Sequence, residues 1–142
     1  FFDSGQFHEL SGDISKFGAY SRLAVPATDY LRALRIRDRI CNVADKLLGN
    51  YDAIIGTPRN QVATLISQPI RVSSITGLAR DILGSVGNIA GLPSVAVPNG
   101  FGDRGLPTGI QFMGNAHGEN SILAAARASQ GITDWHNQHP SD

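Results

Sequence analysis

Apolar residues recur along the chain in two rhythms, and the change from one to the other marks the predicted elements. After Pro26, the residues Ala33, Ile36, Ile40, Val43 and Leu47 step by three and four. Tyr30, Leu34, Ala44 and Leu48 widen this band, while Arg35, Asp38, Arg39, Asn42, Asp45 and Lys46 fill the other faces. That period predicts one amphipathic helix, broad enough on its apolar side to pack against a sheet or several helices. Thr28 or Asp29 is the predicted N-cap, because either side-chain oxygen can accept from a first-turn amide. Gly49-Asn50 predicts a left-handed exit. The first 25 residues are less regular: Phe7, Leu10, Ile14 and Phe17 form a helix-like stripe. Gly12 and Gly18 interrupt it, each costing about 1 kcal/mol against alanine, so only helical turns are expected.

Beyond the long helix the period shortens. Tyr51–Gly56 predicts a short strand ending at Thr57-Pro58, and residues 59–69 predict a loop. A second helix is expected from Ser74 or Thr76 through Leu78, Ile82, Leu83 and Val86 into Asn88–Gly91. Ser94–Val97, between Pro93 and Pro98, predicts a strand, and Thr108–Met113 a returning one. The intervening Asn99–Gly105 is turn chemistry, so a hairpin is expected. A last helix runs over Glu119–Gln130, with Ile122, Leu123, Ala125 and Ala126 apolar. Helices alternating with short strands predict an α/β fold. Internal repeats are absent.

Composition narrows the function classes. The 142 residues carry 12 Lys+Arg against 12 Asp+Glu, so no excess of basic side chains is available to displace counterions from a nucleic acid. No apolar run approaches the roughly 20 residues of a membrane-spanning helix. One cysteine, Cys41, leaves no internal disulfide and fits a reducing compartment, so a cytoplasmic location is expected.

Each candidate for chemistry has a plainer structural explanation. Gly-x-Ser-x-Gly does not occur, and Ser85, between Gly84 and Gly87, reads as a small residue permitting close helix packing. Cys41 borders the apolar helix face and reads as an inert thiol. His136 and His139 stand near Asp134, but Pro140 follows; with His8 and His117 isolated, no metal site is expected. Gly114–Gly118 joins a strand to a helix without a nucleotide-binding glycine pattern, so no cofactor is expected. Lys16 and Lys46 lie in a weak helical segment and on a polar helix face, neither suited to a base. Asp81 sits within an apolar, glycine-rich stretch, where compensation of a helix N-terminus is the simple explanation. Gln111, inside a strand, is expected to be a buried amide, and Gly109 to make room for a close neighbour.

Two runs are more specific than any of these. Asn88-Ile89-Ala90-Gly91-Leu92-Pro93-Ser94-Val95-Ala96-Val97-Pro98-Asn99-Gly100, followed by Gly105-Leu106-Pro107-Thr108-Gly109-Ile110-Gln111-Phe112-Met113-Gly114, resembles the C-terminal part of the amidase signature family. Upstream, Tyr30–Arg39 and Tyr51–Pro58 are similar to that family's helix and its aspartate, apolar-pair, threonine–proline strand. Downstream, Glu119–Ala126 and Thr133–His136 are similar to its closing helix and tail.

The resemblance implies an α/β fold, part of a mixed β-sheet with flanking helices. It also implies a parent enzyme that hydrolyses or transfers the nitrogen of a small-molecule amide. Residues 1–142 are then expected to be the C-terminal segment of one amidase domain, lining the substrate pocket and inactive alone. The family's serine nucleophile, cis-serine and lysine base lie in motifs N-terminal to anything matched here, so no catalytic residue is carried over. An upstream segment or partner chain is expected to complete the fold. Asp81 stands seven residues before Asn88, the spacing at which glutamine amidotransferase subunits of this family hold the substrate's amino group. Arg80 is positioned to neutralise it. Arg59-Asn60-Gln61-Val62-Ala63 departs from the family's threonine–proline-rich continuation. The alternative is a non-catalytic interaction module that keeps the fold and binds a partner through a sheet edge or apolar face.

Overall fold

In the computed structural model the described residues are 4–9, 24–59, 61–67 and 81–140. By contacts the chain divides into two units, Phe1–Arg37 and Asp38–Asp142. Of the helical turns predicted over the first 25 residues, a 3-10 turn at Gln6–Glu9 is described, and residues 10–23 lie outside the description. The carbonyl of Pro26 accepts from the amides of Asp29 at 3.0 Å and Tyr30 at 3.1 Å. Helix α1 therefore runs from Ala27 to Leu48, and Thr28 and Asp29 stand inside its first turn rather than capping it. Asp29 offsets the positive end of the helix there.

The exit of α1 also differs from expectation, since neither Gly49 nor Asn50 has a positive φ. Instead the Asn50 side-chain amide donates to the Lys46 carbonyl at 2.9 Å, satisfying a group the last turn leaves open. The predicted packing of α1 is realised only on one flank. Ala44 and Leu48 are buried, whereas Ile36, Val43 and Leu47 at the centre of the stripe are 50%, 67% and 49% exposed.

Strand β1 is Ile54–Gly56, shorter than predicted because Tyr51–Ala53 are not paired. Residues 59 and 61–67 form the expected loop. Helix α2, Ile82–Ala90, starts later than either predicted position. Asp81 is extended, at φ −76° and ψ 92°, so no helix runs through it; residues 68–80 lie outside the described residues. Gly91 ends α2 at φ +73°, with the amides of Gly91 and Leu92 both bonding the Gly87 carbonyl.

Strands β2, Ser94–Phe101, and β3, Pro107–Met113, form the predicted hairpin. Pro98 lies within β2 rather than ending it. Register passes from Pro98 opposite Gly109 to Gly100 opposite Thr108, leaving Asn99 as a bulge. An edge strand tolerates the missing proline donor, and β2 is an edge in the order β1-β3-β2. Both neighbours of β3 run antiparallel to it, so β1 and β2 are parallel to each other with β3 inserted between them. Since α2 connects β1 to β2, this is a split β–α–β unit.

The pleat sends alternate residues of β3 to opposite faces. Phe112 and Ile110, with Val95 and Val97 of β2, face helix α3, Glu119–Gly131, whose Ile122 and Ala126 complete the buried cluster. A Cβ on Gly114 would come within 2.6 Å of Ile122, so the turn from β3 into α3 requires glycine. Met113, 2% exposed, lies on the other face beside α2. Added Cβ atoms would bring Gly87 to 3.3 Å from the Met113 sulfur and drive Gly56 into Leu83. At the far end Trp135 meets Phe101 edge-on, with ring centroids 6.3 Å apart.

Among the described residues, no helix is long and apolar enough to cross a membrane. Met113→Ala removes a fully buried side chain from between two layers and is expected to cost about 2–5 kcal/mol in urea unfolding. Ile82→Ala, at a residue 70% exposed, should change stability by less than about 0.5 kcal/mol in the same measurement.

Candidate functional site

The Asp-x-x-Gly spacing at the start of α2 builds a capped helix terminus. Asp81 Oδ1 accepts from the Gly84 amide at 2.6 Å. The Asp81 carbonyl accepts from the Ser85 hydroxyl at 2.7 Å and the Ser85 amide at 3.1 Å. A side chain on Gly84 would overlap the Asp81 carboxylate, so the glycine is needed for this cap. The half-buried Asp81 thus places negative charge at the positive end of the helix dipole. Because Leu83 sits over Gly56, this terminus lies by the C-terminal end of β1. Arg80, its predicted neutralising neighbour, is outside the described residues.

From that same end of β1 a cleft of about 360 Å³ opens between residues 57, 59, 61 and 62 and the hairpin. Thr57, Arg59, Gln61, Asn99, Asp103 and Thr108 give it a polar lining. Its walls are held at several points. Pro58 would lie 3.3 Å from a Cβ on Gly109, and Val62 2.8 Å from one on Gly102, so both glycines allow a close approach. Arg104 Nη2 donates to the Ala63 carbonyl at 3.0 Å. The Thr108 hydroxyl donates to Asn99 Oδ1 at 2.9 Å. Sequence periodicity gives no hint of this cleft, because it joins residues some forty positions apart. Its one legible sign is the departure at Arg59 and Gln61.

Gln111 is 5% exposed, as a strand-interior amide should be. Its Nε2 donates to Ser94 Oγ at 2.7 Å, while among the described residues Oε1 has no partner. The other candidates take structural roles. Ser85 is engaged with Asp81. Cys41 is half-buried and free of disulfides. His117 occupies a turn at φ +62° and is exposed, and His136 Nε2 lies 3.2 Å from the Asn137 amide. Among the described residues no three His, Cys, Asp or Glu side chains converge as a metal site would require. In the loop before α3, the Gly118 amide bonds the Asn115 carbonyl, and Asn115 Nδ2 donates to the Leu48 carbonyl at 3.2 Å. That loop is a tight connection. Lys46 is exposed; Lys16 and the His8 side chain are outside the description.

Asp81→Ala is expected to lower stability by about 0.5–2 kcal/mol through loss of the cap, while Asp81→Ser retains most of it. Thermal unfolding of the two variants measures the difference.

Comparison with known proteins shows the family and the fold. A sequence profile described as Amidase matches residues 13–123. The A subunit of glutamyl-tRNA(Gln) amidotransferase from Oceanobacillus iheyensis is 36% identical over 115 residues, covering 78% of this chain and 22% of that protein. Its counterpart of the same name from Bacillus mycoides is 35% identical over 116 residues, covering 79% and 23%. The crystal structure of the Thermotoga maritima counterpart superposes with a TM-score of 0.65 at 25% identity, covering 94% of this chain and 28% of that one. The chain spans about a fifth of the length of the curated relatives it matches.

Proposed function

The chain belongs to the amidase signature family, and from that premise we propose that it forms scaffold and one wall of the substrate pocket in an enzyme acting on carbon–nitrogen amide bonds. In this reading Asp81 contacts the substrate's amino group. The nucleophile and base come from polypeptide beyond these 142 residues, on the same chain or a partner, in the cytoplasm. The observation that carries the proposal is the placement of Asp81. A half-buried carboxylate is oriented by the Gly84 amide, at the helix terminus whose Leu83 packs on Gly56 at the end of β1. A fixed carboxylate attracts an ammonium and accepts its hydrogen bonds, so it can position a substrate without taking part in bond cleavage.

Two further features support the division of labour. No position here matches the family's lysine or serine–glycine-rich motifs, which supply the attacking oxygen and its base. The central apolar stripe of α1 is exposed at Val43 and Leu47, as expected of a surface that additional polypeptide covers. That stripe equally favours the second reading, a non-catalytic module docking on a partner.

Assays of the isolated chain should show no hydrolysis of glutamine or simple amides above a buffer blank, and no covalent adduct with a fluorophosphonate probe. A serine adduct would overturn the proposal. In the complete enzyme, Asp81→Ser should raise KM for amino-bearing amides by about tenfold with kcat little changed, since the cap survives while the charge is lost. An unchanged KM would leave Asp81 as a helix cap alone and favour the interaction module.

A further inference from the structure

We propose that the cleft between residues 57, 59, 61 and 62 and the hairpin binds a small carboxylate bearing a neighbouring hydrogen-bond donor, with Arg59 as the residue that grips the carboxylate. The inference starts from Arg59 and Gln61, which stand in the segment that departs from the family's threonine–proline-rich continuation. It is independent of the role proposed for Asp81.

The lining divides by charge. Arg59 presents a guanidinium whose paired N–H groups match the two oxygens of a carboxylate. Gln61 and Asn99 add amide donors. For Asn99 the orientation is set, because the Thr108 hydroxyl donates to its Oδ1 and thereby leaves Nδ2 to donate elsewhere. Against these donors stands Asp103, the one carboxylate in the lining. Among the described residues neither Arg59 nor Asp103 makes an ion pair.

That pairing selects the ligand. Asp103 repels a bare anion and Arg59 repels a bare cation. A molecule with a carboxylate at one end and a hydroxyl or ammonium beside it satisfies both. The volume of about 360 Å³ suits a ligand of modest size. The walls are already in place: Pro58 against Gly109, Val62 against Gly102, and the Arg104 bond to Ala63 across the loop.

The test is saturation-transfer NMR on the protein with glycolate as probe and acetate as its comparator lacking the hydroxyl. Glycolate should receive saturation. Arg59→Gln should weaken its binding by about tenfold or more, and Arg59→Lys should fall between. Asp103→Asn should remove the preference for glycolate over acetate. Arg59 and Asp103 are exposed, so these variants should keep the parent melting temperature. Asp81→Ser should bind glycolate as the parent does, which separates this proposal from the one above. Absence of transfer to glycolate, or equal binding by the parent and Arg59→Gln, would overturn it.

Discussion

Strand β3 is the constraint against which the other elements are set, because it is paired along both edges and covered on both faces. Its backbone groups are shared between β1 and β2, and a one-residue slip would exchange Phe112 and Ile110 for Met113 and Gln111 across the sheet. Such a slip would put an amide into the α3 cluster and a phenyl ring against α2. The register is therefore determined by what each face can accept. Through the turn at Gly114 the same strand sets where α3 begins, and through Met113 it sets how closely α2 approaches.

Glycine makes these approaches possible at three contacts that matter for the site. Gly87 admits the Met113 sulfur, Gly56 admits Leu83, and Gly109 admits Pro58. The Gly87 contact lies opposite Ile54 at the start of β1, whereas the packing of Leu83 on Gly56 and of Pro58 on Gly109 lies toward its C-terminal end, where the capped terminus of α2 and the polar cleft are found. Asp81 and Arg59 come from separate segments, yet both are positioned by packing on that one end of the sheet. The buried Gln111 belongs to the same layer. Among the described residues nothing donates to its Oε1, and a buried acceptor left so costs about 1–3 kcal/mol.

Much of the architecture is legible from local chemistry. The period of α1 and the hairpin signals at Asn99–Gly105 both act within a few residues of themselves. The departures also have local causes. Pro98 predicts the end of β2, but an edge position and a bulge at Asn99 let the strand continue past it. Gly49 predicts a left-handed conformation, but the Asn50 side chain supplies the donor instead. The breadth of the α1 stripe suggests complete burial, yet burial depends on what lies opposite, and only Ala44 and Leu48 are covered.

By itself, the sequence determined the alternation of helix and strand and the family. Each is written in periodicity or contiguous motif. Only the tertiary structure decided which glycines admit which neighbours, which side of α1 is covered, and that Arg59, Asn99 and Asp103 line one cleft. Those relations join positions far apart along the chain, and steric fit between layers, not the chemistry of adjacent residues, brings them together.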